Sequence, residues 1–182
     1  MNIIKTSIKG LVIIQPKIFK DPRGYFFEPY NQKSFNQNFG NLNFVQDNES
    51  KSSKGVLRGF HFQKPPFDQA KLVRCIQGEV LDVALDLRKK SKTYGKCEKV
   101  ILSAKNKKQI FIPRGFAHAF LVLSQTAIFS YKADNIYAPL YDDGVIWNDS
   151  SLLIDWGLGE SELIISEKDK NLNMLKNIES PF

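Results

Sequence analysis

The 182-residue chain has two cysteines and two histidines, and that scarcity excludes several protein classes at once. Cys75 and Cys97 form no C-x-x-C motif, and two thiols are too few for a disulfide scaffold. Both are expected to be buried or incidental, as suits a reducing compartment. Long apolar runs are lacking too: stretches such as GLVIIQP fall far short of a membrane span, and the opening MNIIKTSIKG lacks the arrangement of a secretory signal. A soluble, cytoplasmic protein without a membrane partner is expected. The net charge is +7, but the lysines are scattered, with no long basic run and no nucleic-acid-binding motif. Most are read as solvated surface, and no nucleic-acid partner is expected. A few lysines facing a small phosphorylated ligand fit the same charge. No internal repeat, low-complexity tract or linker divides the chain, so residues 1–182 are read as one domain.

What the chain does have is hydrophobic content of 42%, enough for a substantial core, arranged with a period of two. In EVLDVALDLR, Leu81, Val83, Leu85 and Leu87 share one face while Asp82 and Asp86 lie on the other, which reads as a half-buried strand. KVILSA, KQIFIP, AFLVLS and AIFSYKA read as further short strands, separated by turn material such as SAKNKK and PRGFAH. Many short strands at close spacing predict an all-β sandwich or barrel rather than alternating β-α units. Two flanking helices are expected, a short one near NQKSFNQNF and a C-terminal one within SEKDKNLNMLKNIE.

The histidines raise the question of chemistry. His61, in VLRGFHFQKPP, is a candidate metal ligand, catalytic base or packing residue. A small β-barrel of the cupin type carries G-x5-H-x-H, a glutamate seven residues before a glycine, and P-x-G-x2-H, which together bring three histidines and a glutamate around one metal. Here Gly55 leads to His61, but Gln63 stands at the second histidine and Lys71, seven residues before Gly78, stands at the glutamate. Pro113, Gly115 and His118 complete the second motif. An ammonium has no lone pair for a metal and repels cations, so the cage is chemically spoiled and neither metal nor other cofactor is expected.

With those substitutions, and with DPRGYFFEPY, QDNESKSSKGVLRGFHFQKPPFDQAKLV, GEVLDVALDLRKKSKTYGK, IPRGFAHAF, YKADNIYAP and SEKD, nearly the whole chain resembles the dTDP-4-dehydrorhamnose 3,5-epimerases. These are metal-free cupins acting on a nucleotide-linked 4-keto-6-deoxy sugar. The resemblance implies a cupin-type jelly roll or β-sandwich, an isomerase activity and a nucleotide-sugar substrate. It also implies a homodimer whose N-terminal segments cross to the neighbouring site.

Inversion next to a ketone needs a base, a stabiliser for the enolate oxygen, and an acid on the opposite face. The resemblance gives His61 the role of base, which suits an imidazole whose unperturbed pKa is about 6.5; without it, an isolated histidine is more often structural. Asp169 is implied as the carboxylate that orients His61, although Ser166 and Asp169 equally have the spacing of a capping box for the C-terminal helix. Lys71 is implied at the developing oxyanion, where such interactions are worth about 3 to 4 kcal/mol; the alternative is an ordinary lysine at a strand end. Tyr131, by default a core residue of its strand, is implied as the acid.

A ligand shell follows in the same way. Arg23 and Arg58 are implied at the diphosphate, His118 at sugar or phosphate, Glu28, Gln46, Asn48 and Lys168 as polar contacts, and Tyr137 as a stacking partner for the base. Each has a packing or surface alternative. Two departures stand out: Asp142 replaces the usual glutamate, leaving one substrate contact in doubt, and Gly157 follows Trp156 where proline is usual, which points to a local turn. Competing readings are a mono-epimerase, an epimerase for another nucleotide-linked keto sugar, a non-catalytic sugar-nucleotide binder and a metal-dependent cupin oxygenase. Intact His61, Lys71 and Tyr131 argue against the binder, and Gln63 and Lys71 against the oxygenase.

Overall fold

The period-two pattern becomes a run of short strands in the computed structural model, which describes all 182 residues. In chain order these are β1 (Asn2–Lys5), β2 (Val12–Gln15), β3 (Phe19–Asp21), β4 (Gly24–Phe26), helix α1 (Gln32–Phe39), β5 (Gln46–Ser53), β6 (Leu57–Gln63), β7 (Lys71–Gln77), β8 (Glu79–Asp86), β9 (Cys97–Ser103), β10 (Gln109–Ile112), β11 (Phe116–Val122), β12 (Thr126–Ala133), β13 (Asp142–Gly144) and helix α2 (Glu167–Lys170). A six-stranded sheet in the order β1-β2-β10-β7-β12-β5 faces a five-stranded sheet in the order β13-β6-β11-β8-β9, while β3 and β4 form a separate hairpin. All pairings within these sheets are antiparallel. This is the expected mainly-β, cupin-type sandwich. No helix is long and apolar enough to cross a membrane.

Three apolar layers hold it together. Between the sheets lie Val73, Ile110, Ile112 and Phe129 from one side and Val80, Leu102, Phe120 and Val122 from the other. The back of the five-stranded sheet, including Leu57, Phe60, Val83, Leu85 and Leu121, is covered by Leu152, Trp156 and Leu175 of the C-terminal region. Behind the six-stranded sheet, Val12, Ile14, Leu72 and Phe111 pack against Phe35 of α1. Asn31 caps that helix, its side chain accepting from the Ser34 N–H, and Gly40 ends it.

The back layer corrects one expectation. Strand β8 is not half-buried: Asp82 and Asp86 have no exposed surface, and Val83 and Leu85 are equally buried. Alternation here separates the inter-sheet space from a second covered face rather than core from water. Asp86 is held by Arg88, Ser91 and Thr93. Burial pushes its carboxyl up, but those donors outweigh it and hold the group down at about 2.

The C-terminal helix also differs from expectation. It runs for one turn, Glu167–Lys170, with a separate 3-10 turn at Leu175–Asn177. Asn171 and Asn173 are weak helix formers, and Asn173 forms a parallel bridge to Val145, its carbonyl accepting from the Ile146 N–H. Pairing with the sandwich thus takes up the backbone that a longer helix would need.

Candidate active site

The two sheets supply opposite walls of one cavity of about 300 Å³. Arg58 and His61 come from β6 and His118 from β11; Asn48 comes from β5, Lys71 from β7 and Tyr131 from β12. Phe120 and Phe129, one from each sheet, also line it, with ring centroids 4.0 Å apart across the inter-sheet gap.

His61 is positioned by an irregularity in the ladder. It lies opposite His118, yet Phe120 lies opposite Arg58, so three steps along β6 match two along β11. This is a β-bulge, a device that re-aims side chains beside active sites. Gly59 sits in it with φ of 118°, and a Cβ there would lie 2.5 Å from the His118 carbonyl oxygen. The Gly59 N–H donates to Asp169 Oδ2 at 3.2 Å. The other carboxylate oxygen, Oδ1, is 2.7 Å from His61 Nε2. The His61 side chain is 31% exposed and that of Asp169 4%, so the pair presents an imidazole to the cavity and keeps its carboxylate from water. Burial pushes the Asp169 carboxyl up, but the His61 hydrogen bond, the His61 charge and the Gly59 N–H outweigh it and hold it below the usual range.

Both readings of the segment around Asp169 contain part of the answer. Ser166 Oγ accepts from the Asp169 N–H at 3.1 Å, which caps α2. The Asp169 carboxylate goes to His61 and Gly59. Backbone and side chain of one residue serve the two purposes.

Opposite His61, Lys71 has its ammonium 5.5 Å from the Tyr131 ring centroid. Burial lowers the lysine to about 8, opposed by the negative charges of Asp142 and Asp82. Tyr131 is pushed above the ordinary phenol value, by burial first and by Asp142 second, with Arg58 opposing. It therefore remains a neutral proton donor at neutral pH. His118 is buried, and its Nε2 lies 2.8 Å from Asp82 Oδ2.

The remaining candidates divide into a connected rim and a distant hairpin. Tyr137, 53% exposed, donates its hydroxyl to Asp142 Oδ2 at 3.2 Å, and the Lys168 ammonium bonds the same oxygen. The Tyr137 N–H donates to Gln46 Oε1 at 2.8 Å, and Gln46 Nε2 donates to Asn48 Oδ1 at 3.0 Å. The shorter acid at 142 thus reaches both Tyr137 and Lys168. Arg23 and Glu28 do not join them. Arg23 is on the β3–β4 hairpin, paired with Asp21 and 90% exposed, and Glu28 accepts from Asn31 beside a different groove.

Gln63 is structural here: its amide donates to the carbonyls of Phe67 and Ile136 and accepts from the Ala138 N–H, tying two loops to β6. No three His, Cys, Asp or Glu side chains form a metal-binding group. Gly157, at φ of 75°, occupies a left-handed turn that the fixed ring of proline does not permit. The residue missed by the sequence reading is Asp82. Its alternation with leucines assigned it to a solvent face, and the signal that pointed inward was an acidic residue in a strand, where such residues are depleted.

A cupin-type sandwich whose cavity holds a histidine–carboxylate pair, a lysine and a neutral tyrosine defines a site for proton transfer on a small molecule. The family model for dTDP-4-dehydrorhamnose 3,5-epimerase matches residues 5–177. The dTDP-4-dehydrorhamnose 3,5-epimerase of Shigella flexneri is 52% identical over 172 residues, covering 94% of each chain. The crystal structure of the enzyme of that name from Elizabethkingia anophelis is 54% identical and superposes with a TM-score of 0.94, covering 97% of each chain. A dTDP-6-deoxy-D-glucose-3,5-epimerase from Legionella pneumophila, in complex with dTDP-4-keto-L-rhamnose, is 47% identical with a TM-score of 0.94, covering 98% of this chain and 94% of that one. The chain belongs to the dTDP-4-dehydrorhamnose 3,5-epimerase family, a family of isomerases.

Proposed function

We propose that this protein inverts carbons 3 and 5 of a nucleotide-linked 4-keto-6-deoxy sugar, converting dTDP-4-dehydro-6-deoxy-D-glucose to dTDP-4-dehydro-L-rhamnose. The observation that carries the proposal is the placement of His61 and Tyr131 on opposing sheets around one cavity, with Lys71 beside the tyrosine. Epimerisation requires a base on one face of the ring and an acid on the other, and two facing sheets carry such groups on opposite walls.

His61 is the proposed base. An ionised Asp169 only accepts hydrogen bonds, so Nε2 carries the proton of neutral His61 and Nδ1 is the basic nitrogen. As Nδ1 takes the proton from carbon 3 or 5, the C–H electron pair moves into the enolate and charge collects on the carbonyl oxygen. Lys71 meets that oxygen as an ammonium, and Asp169 balances the imidazolium. Tyr131 then gives its proton to the same carbon from the opposite face, and solvent restores both groups.

Arg58 and His118 inside the cavity, with Asn48, Gln46, Tyr137, Asp142 and Lys168 along the rim, hold the diphosphate, sugar and base. Arg23 and Glu28 serve the site of a second copy. The hairpin that carries Arg23 exposes Phe19 at 53%, Tyr25 at 57% and Phe26 at 70%, the composition of a surface that packs on a partner. The working form is accordingly a homodimer of single-domain chains, and its free thiols Cys75 and Cys97 suit the cytoplasm.

Proton NMR of the keto-sugar nucleotide incubated with the protein in deuterated water tests the reaction. Deuterium is expected at both carbons with formation of the L-rhamno product. Exchange and inversion at carbon 3 alone would replace the proposal with a mono-epimerase, and no exchange at either carbon would refute it.

A further inference from the structure

Asp82 is a charged side chain that the reaction above does not use. It has no exposed surface, and its protein partner is His118, through Oδ2 at 2.8 Å. Its second oxygen, Oδ1, is buried with no hydrogen-bond partner. An ionised carboxylate so placed is costly unless compensated, because desolvation strips its hydration and one hydrogen bond does not restore it. No arginine or lysine pairs with Asp82. Lys71 is in the complementary position, a desolvated ammonium with no carboxylate within ion-pair distance. The negative charge of Asp142 first, and of Asp82 second, favours that ammonium. A buried carboxylate behind the cavity wall and an ammonium lining the cavity are thus each incompletely paired, with His118 bonded to the carboxylate.

We propose that Asp82 is a positioning residue for the epimerisation: it fixes His118 as the Nε2–H tautomer and, second to Asp142, adds negative charge that favours the ammonium form of Lys71. This rests on the reaction proposed above. The ionised Asp82 accepts, so Nε2 of His118 must donate. Nδ1 makes no hydrogen bond within the protein and, in the neutral ring, is left as an acceptor for a substrate hydroxyl. The groups around the Lys71 ammonium are Asp82 on β8, Asp142 on β13, Arg58 and His61 on β6, His118 on β11 and Tyr131 on β12. Arg58 adds positive charge and the two carboxylates add negative charge; removing Asp82 leaves Asp142 to hold the proton alone.

The sign follows from the lysine. It is protonated below its pKa of about 8 and loses its charge as pH rises through that value. Neutralising Asp82 lowers the value further, so Asp82→Asn is expected to move the alkaline limb of kcat/KM for deuterium exchange down by roughly one pH unit. At pH 6, well below both limbs, kcat of the variant falls less than it does at pH 8. A purely structural role would lower Tm and leave the limb in place.

The second readout uses the unaltered protein. With two histidines in the chain, nitrogen-15 NMR of labelled rings resolves both, and His61→Gln identifies the His118 signals. The Nε2–H tautomer is expected at His118 near neutral pH. Finding it as the Nδ1–H tautomer, or finding an unshifted alkaline limb in folded Asp82→Asn, would overturn the role of Asp82 alone. If Asp82→Asn does not fold, the tautomer of the unaltered protein decides. Failure of the unaltered protein to exchange deuterium would instead overturn the proposed reaction, and the role of Asp82 with it.

Discussion

Replacing Asp169 by asparagine removes one charge and changes almost no volume, and the structure dictates how the new amide must sit. Its carbonyl oxygen takes the place of Oδ2 and accepts from the Gly59 N–H, as the carboxylate does at 3.2 Å. Its NH2 group then faces His61 Nε2, at the 2.7 Å contact now made by Oδ1. Two donors cannot share that contact, so His61 must move its proton to Nδ1, the nitrogen proposed to act as base. The variant therefore loses both the basic lone pair and the counter-charge to the imidazolium. Two unit charges about 4 Å apart interact by about 4 kcal/mol at an effective dielectric constant near 20, and 1.4 kcal/mol is a factor of ten. Together these give a loss of about a thousandfold in exchange at carbons 3 and 5. Helix α2 keeps its cap, because Ser166 Oγ accepts from the backbone N–H of residue 169. Tm should consequently change little beside the loss of rate. The assay is deuterium incorporation followed by proton NMR, with thermal unfolding in parallel. A folded Asp169→Asn protein that exchanges within tenfold of the unaltered rate would remove Asp169 from the mechanism.

Four further outcomes are expected. Tyr131→Phe should retain exchange at carbons 3 and 5 but lose inversion by about a hundred- to ten-thousand-fold, read as deuterium incorporated with the starting configuration; undiminished inversion assigns the acid to another group. Lys71→Met should lower kcat/KM by about a hundred- to a thousandfold and abolish the alkaline limb near pH 8 expected from deprotonation of the ammonium; a limb that persists in the variant has another origin. Gly59→Ala forces a Cβ to within 2.5 Å of the His118 carbonyl and 2.6 Å of Ala119 Cα, so it should both lower Tm and reduce exchange, and a Tm equal to the original contradicts the bulge geometry. Mixing inactive His61→Ala with inactive Arg23→Ala protein should regenerate activity if the hairpin serves a second copy, since a mixed dimer then contains one intact site; mixtures that stay inactive after confirmed subunit exchange place Arg23 within its own subunit's site.

The fold was legible in the sequence because period-two alternation is local, and β9, β10 and β12 fall on KVILSA, KQIFIP and AIFSYKA. Alternation reports two different faces but not what covers each. For that reason Asp82 reads as solvent-facing, although the six-stranded sheet lies over its face while the C-terminal region covers the other. The C-terminal helix was overextended for a related reason, since the bridge of Asn173 to Val145 is a contact between segments far apart in the chain. Of the candidate site, Asn48, Arg58, His61, Lys71, His118 and Tyr131 are singled out by the family resemblance, and the structure places them around one cavity. Their pairings are not: that Asp169 divides its backbone and side chain between a cap and His61 depends on a bulge at Gly59, and although a glycine within a strand pattern such as LRGFHF often marks a bulge, it does not say which distant carboxylate the bulge admits.

The stacked rings of Phe120 and Phe129 bear on stereochemistry as well as stability. Each belongs to a different sheet, and they stand in the same cavity as His61 and Tyr131. They bridge the gap between the two sheets that carry the proposed base and acid. Two outcomes compete after each proton is removed, return from the side it left or delivery from the other. Their ratio depends on whether the planar enolate touches both walls at once. Narrowing or widening that ring pair is expected to shift the two walls relative to each other without removing any reacting group, and so to change the ratio of inversion to return.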